Sequence, residues 1–127
     1  MRQSLFLVAL LAGFATVSPA TARDNFRTGS TAYAVGLYGS AARHWLTLAE
    51  KGHPPAQYNV GRMLYYGQGM RRDRIEAYKW FLIARDNGVR RSEEATRILD
   101  ERLLRHERVE AMVRARDGIA GNPVEPF

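Results

Sequence analysis

The stretch 56-AQYNVGRMLYYGQGMRRDRIEAYKWFLIA-84 holds two apolar-periodic segments separated by a glycine-containing connector. In the first, Ala56, Val60, Met63 and Leu64 recur at one-turn spacings and form a single helical stripe, with Gln57 and Arg62 expected to point elsewhere. Pro54-Pro55 precedes it, and proline in the first helical turn sacrifices no backbone bond that would have formed. Gly67-Gln68-Gly69 breaks the pattern. Asp73 then offers an N-cap for a second helix that runs to about Asn87 and stops at Gly88. Ile75, Ala77, Tyr78 and the run Trp80 to Ala84 make that second helix apolar over more than one face. Such an arc has to be covered from both sides, so this helix is expected to lie between neighbours.

Outside the stretch the same residues return. Ala42, Trp45 and Ala49 are each followed 35 residues later by Ala77, Trp80 and Ala84, and the stopping glycines Gly52 and Gly88 lie 36 apart. A period of this size marks stacked helix hairpins. Alanine at one-turn spacing lets helices approach closely, and tryptophan fills the wedge beside them. Gly61 belongs to the same logic, because an interior glycine costs about 1 kcal/mol relative to alanine and implies a contact that a side chain would block.

Ala56-Gln57, Val60-Gly61-x-Met63, Gly67-x-Gly69-Met70, Asp73, Glu76-Ala77, Lys79-Trp80-Phe81, Ala84 and Gly88 together resemble the Sel1-like repeat, a relative of the tetratricopeptide repeat. The resemblance implies an all-α fold, a right-handed α-α superhelix built as a short solenoid of antiparallel hairpins. It also implies a non-catalytic role in protein–protein interaction. Its signature positions here are Trp45, Gly61, Gly67, Gly69, Ala77, Trp80, Ala84 and Gly88. One complete repeat covers 56–88, with a half-unit from Ala41 to Gly52 before it and another from Ser92 to Leu103 after it. Leu64 stands where an aromatic is usual, with Tyr65 next to it. Some exported members are stapled by disulfides; this chain has no cysteine, so nothing of that subgroup carries over.

The flanks are read more coarsely. Arg23 to Thr28 is taken as a polar lead-in and Thr31 to Leu37 as a short helix interrupted at Gly36-Leu37-Tyr38-Gly39. Ser40 is then expected to cap a helix over Ala41 to Lys51, and Ser92 to cap a fifth helix with Glu93 and Glu94 in its first turn. Ala95, Ile98, Leu99 and Leu103 form that helix's stripe, which resumes at Val109, Met112 and Val113. No glycine or proline lies between Leu104 and Val109, leaving one long helix or two short ones open.

The ends suggest processing. Arg2, the apolar run Leu5 to Val17 and Ala20-Thr21-Ala22 fit a signal peptide over residues 1–22. The apolar run falls short of the about 20 residues of a membrane span, so an uncleaved anchor is the weaker reading. The repeat domain is expected over 23–116, with a flexible tail over 117–127. The resulting expectation is a periplasmic or secreted protein of a Gram-negative bacterium, with no stable membrane span after cleavage.

The whole chain of 127 residues carries a formal charge of +6, and Lys51 and Lys79 are its only lysines. Export argues against nucleic acid. Anionic envelope polymers, lipid head groups or an acidic protein face remain as targets, and a purely solubilising role is the alternative. No catalytic, metal or cofactor constellation emerges. His44, His53 and His106 lack second ligands at metal spacing, and Ser30, Ser40 and Ser92 sit at caps or turns. Gly67-x-Gly69 lacks the third glycine and preceding strand of a phosphate loop. The residues chosen for partner contact are Arg62, Tyr65 and Tyr66 at the end of the third helix, then Arg71 and Arg72 in the connector. The expected function is an adaptor or regulator of an envelope protein partner. An accessory protein or enzyme recognising cell-wall (peptidoglycan) fragments is the alternative, and self-association is a further possibility for so short an array.

Overall fold

The computed structural model describes residues 18–117. Most of the expected signal peptide and nearly all of the expected tail lie outside that span. Six helices follow one another: α1 (Pro19–Ala34), α2 (Tyr38–Glu50), α3 (Pro54–Tyr66), α4 (Arg74–Asp86), α5 (Arg91–Arg102) and α6 (Arg105–Arg116). No strand occurs among the described residues. Consecutive helices from α1 to α5 pack against each other, and α4 also takes α6, so the chain is an all-α repeat superhelix.

The 35-residue echo is a packing echo. Ala42, Trp45 and Ala49 on α2, and Ala77, Trp80 and Ala84 on α4, are all buried. Gly52 and Gly88 follow the ends of these helices at positive φ. As its wide apolar arc requires, α4 is flanked by α3, α5 and α6. Asp73 caps it, its carboxylate accepting from the Glu76 amide at 2.9 Å.

Gly61 sits directly under an aromatic ring. A Cβ there would lie 2.8 Å from two ring carbons of Phe81, so the close approach is between α3 and a side chain of α4. Gly69 meets backbone instead: at φ 67°, a Cβ would fall 2.3 Å from the Tyr38 carbonyl oxygen. The connector thereby docks on the start of α2, and Tyr33 adds a bond by donating its hydroxyl to Gln68 Oε1 at 2.9 Å.

Several local readings need correction. Residues 23–28 are not a lead-in; they are helical, within an α1 that starts at Pro19. Its buried positions are only Gly29 and Ala32, while the larger Phe26 and Tyr33 pack against Trp45 from partly exposed positions. Ser40 lies inside α2 and Ser92 inside α5, so neither is a cap. Gln57 is buried, donating to the Ala49 carbonyl at 3.2 Å and accepting from Asn87 at 2.9 Å. It fastens α3 to the helices before and after it.

The chain does break between α5 and α6. Leu103 turns extended and drives its side chain into the core, while Glu107 reaches back to accept from the Leu104 amide at 2.7 Å. Charge then fastens α6 to α4. Glu76 is 5% exposed and Lys79 2% exposed. The Lys79 ammonium meets Glu76 Oε1 as a charge pair without an aligned hydrogen bond, and Arg114 donates to Glu76 Oε2 at 2.8 Å.

Candidate binding groove

Two helices that belong to successive hairpins face each other across a gap. On α3 the spacing of Tyr58, Arg62 and Tyr65 (i, i+4, i+7) lines one wall, with Tyr66 at the rim. On α5 the same spacing recurs one step longer, through Arg91, Ala95, Ile98 and Arg102. Phe81 of α4 forms the floor, held in place by the Gly61 contact and by the Tyr58 ring at 5.6 Å. The groove encloses about 300 Å³.

Its far end is clamped. Arg102 donates to the Tyr65 hydroxyl, which ties the last turn of α5 to the last turn of α3. Tyr65 also meets Tyr66 edge-on, with ring centroids 5.0 Å apart, leaving Tyr66 62% exposed beside the opening. Arg62 is half-buried, and its guanidinium lies 5.8 Å from the centre of the Tyr33 ring on α1. The groove is therefore amphipathic: an aromatic and aliphatic bed between basic walls.

Of the residues picked for partner contact, Arg62, Tyr65 and Tyr66 come together in this groove. Arg71 and Arg72 do not. They are exposed on the α3–α4 connector, where Arg72 and Arg74 edge a separate open depression. Tyr58, Phe81, Arg91, Ile98 and Arg102 also line the groove, and the repeat signature does not mark them as contact residues. The matched helical spacing on α5 is the signal that would have found its share of them.

Other chemistry is sparse. Among the described residues no three His, Cys, Asp or Glu side chains converge as a metal site would require. No described helix is long and apolar enough to cross a membrane. His53 serves as the N-cap of α3, its Nδ1 accepting from the Ala56 amide at 3.3 Å, with the Phe26 ring 5.2 Å away. Burial holds its pKa below the ordinary histidine value.

Comparison with known proteins bears on the central hairpin. The Sel1 repeat family matches residues 54–89, which bound the α3–α4 hairpin and its closing glycine. A segment of the ERAD-associated E3 ubiquitin-protein ligase component HRD3A of Arabidopsis thaliana is 47% identical over 47 residues. That match covers 36% of this chain but only 7% of the plant protein. The hairpin that supplies one wall and the floor of the groove is thus the unit shared with other proteins, and the chain carries a Sel1 repeat at residues 54–89.

Proposed function

We propose that the chain is a protein-binding module of the bacterial cell envelope, which holds a partner in the groove between α3 and α5. The observation that carries this reading is the pairing of an exposed aromatic rim with a pre-formed apolar floor. Tyr66, 62% exposed, and the half-buried Ala95 and Ile98 can be covered by a partner without rearrangement of the core, over a floor that the buried Phe81 already sets. Tyrosine and arginine are the residue types that dominate the energetics of such contacts. The Arabidopsis relative is by name a component of a ligase, a part of an assembly, which accords with a binding role.

Placement in the envelope rests on residues 1–22 as a cleaved export signal. Fractionation, with the mature chain beginning at Arg23 by mass spectrometry, is the expected result. Export would leave the groove facing the periplasm or the medium.

A photo-crosslinking amino acid in place of Tyr66, in cells making the full-length precursor, tests the binding role. A protein adduct is expected there and none from Thr47, an exposed position on α2. Equal adducts from both positions, or none from either, would remove the groove as the working surface.

A further inference from the structure

The groove's charge points to the kind of segment it receives. Arg62 stands on one wall, and Arg91 and Arg102 stand at the two ends of the other. Among the described residues none of these three forms an ion pair with an acidic side chain. The one acidic lining residue, Glu94, is already engaged: Arg97 holds it at 2.6 Å and reaches Glu101 at 2.9 Å. The acid inside the groove is neutralised from outside, while three guanidinium groups meet no carboxylate among the described residues: Arg102 bonds the neutral Tyr65 hydroxyl and Arg62 lies beside the Tyr33 ring.

Resting on the reading of the groove as a protein-binding surface, we infer that its occupant is an acidic, extended segment of a partner protein, with an apolar side chain over Phe81 and carboxylates at both ends. The dimensions set the spacing. Arg91 and Arg102 lie eleven residues apart on α5, a rise of about 16 Å along the helix axis. An extended chain covers that length in about five residues. The occupant therefore carries two Asp or Glu residues about five positions apart, with Leu, Ile or Phe between them. Each guanidinium offers a planar fork that matches a carboxylate. The apolar bed excludes a purely charged ligand from making full use of the site.

The test is fluorescence anisotropy on the full mature chain with a labelled peptide that bears two aspartates in that spacing around a leucine. Two controls replace both aspartates by asparagine or by lysine. The acidic peptide is expected to bind tightest and to weaken as salt is raised. Arg91→Ala and Arg102→Ala should each weaken it by about fivefold, the scale of an exposed ion pair. Arg91 is exposed and makes no ion pair among the described residues, so Arg91→Ala should melt with the wild type. Arg102→Ala also loses the bond to Tyr65. Tyr65→Phe, which removes that bond but keeps the guanidinium, separates the clamp from the charge, with circular dichroism checking the fold of each variant. Arg91→Glu combined with Arg102→Glu should reverse the preference toward the lysine peptide. Equal binding of acidic and neutral peptides, abolished by Ile98→Gln, would overturn the charge rule while leaving the groove as a protein site. Equally tight binding of an anionic polysaccharide would overturn the protein segment in favour of a polymer. No peptide binding at all, together with a Tyr66-specific adduct in cells, would also overturn the acidic segment but keep the binding role.

Discussion

Gly61 connects the repeat's packing to the groove's floor. A side chain at this position must displace the Phe81 ring, which it would otherwise meet at 2.8 Å. Leucine gains about 1 kcal/mol of helix propensity over glycine, but overpacking a dense core costs about 1–3 kcal/mol and leucine is at the upper end of that range. Gly61→Leu should therefore lose about 2 kcal/mol in urea denaturation. A ring pushed upward also fills the groove, so ligand affinity should fall further than folding does. His53 gives a second prediction. Its neutral Nδ1 is the acceptor that caps α3, and its folded pKa lies below the ordinary 6.5 because burial penalises the charged form. A histidine whose pKa falls on folding contributes stability that is complete above pH 6.5 and is lost as the pH drops below that value. Asparagine caps helices without titrating, so His53→Asn should flatten the stability profile between pH 7 and 5, roughly the range of histidine titration. An unchanged slope in that variant would place the titrating group elsewhere.

The elements differ in how plainly they announce themselves. The α2 and α4 helices were legible because tryptophan and alanine recur on both at fixed spacing, and the glycines that end them require positive φ. Most of α1 was not, since the only buried positions on it are Gly29 and Ala32; Phe26 and Tyr33, whose rings lie against Trp45, are set among polar residues and only partly buried. The α5–α6 break was equally hidden: no glycine or proline makes it, only the burial of Leu103 and the Glu107 cap. One wall of the groove was visible as Arg62, Tyr65 and Tyr66; the spacing of Arg91, Ala95, Ile98 and Arg102 marks a face of α5, but that this face stands opposite α3 follows only from the stacking of successive hairpins. How α6 is attached leads to a prediction at this scale. Glu76 serves both Lys79 and Arg114 from a buried position. Removing one member of a buried charge set strands the others, a loss of about 3–5 kcal/mol. Glu76→Gln should accordingly destabilise by about 3 kcal/mol, and Glu76→Gln combined with Lys79→Met should recover much of that loss. Hydrogen exchange should show the largest gain over 105–116, the α6 helix that Arg114 tethers. Uniform exchange along the chain would mean the network stabilises the whole array rather than one helix.

Across the molecule the core is one continuous body, running from Ala32 on α1 to Ala111 on α6 with members on all six helices. Trp45 and Trp80 are both buried at equivalent positions of α2 and α4, and Trp45 packs on Gly29, Phe26 and Tyr33 of α1. Arrays of stacked repeats behave as chains of coupled units, and the strength of the coupling decides whether the units unfold together. Here the coupling is dense. Gln57 bonds to the end of α2 and accepts from Asn87 just past α4, Gly69 presses its connector on Tyr38, and Tyr33 bonds to Gln68 across the same seam. Neither hairpin can open without exposing the apolar face of the other, so unfolding should be all-or-none. Trp45→Phe and Trp80→Phe each leave one fluorescent reporter, in the second and first hairpin respectively. Within either variant the fluorescence transition should coincide with the helical circular dichroism in urea. Gln57→Ala, which removes the bond between α2 and the next hairpin, should lower the midpoint for both reporters alike. A Trp45 signal that melts ahead of Trp80 in that background would mean the first hairpin is held only by Gln57, and that α3–α4 stands as a unit by itself.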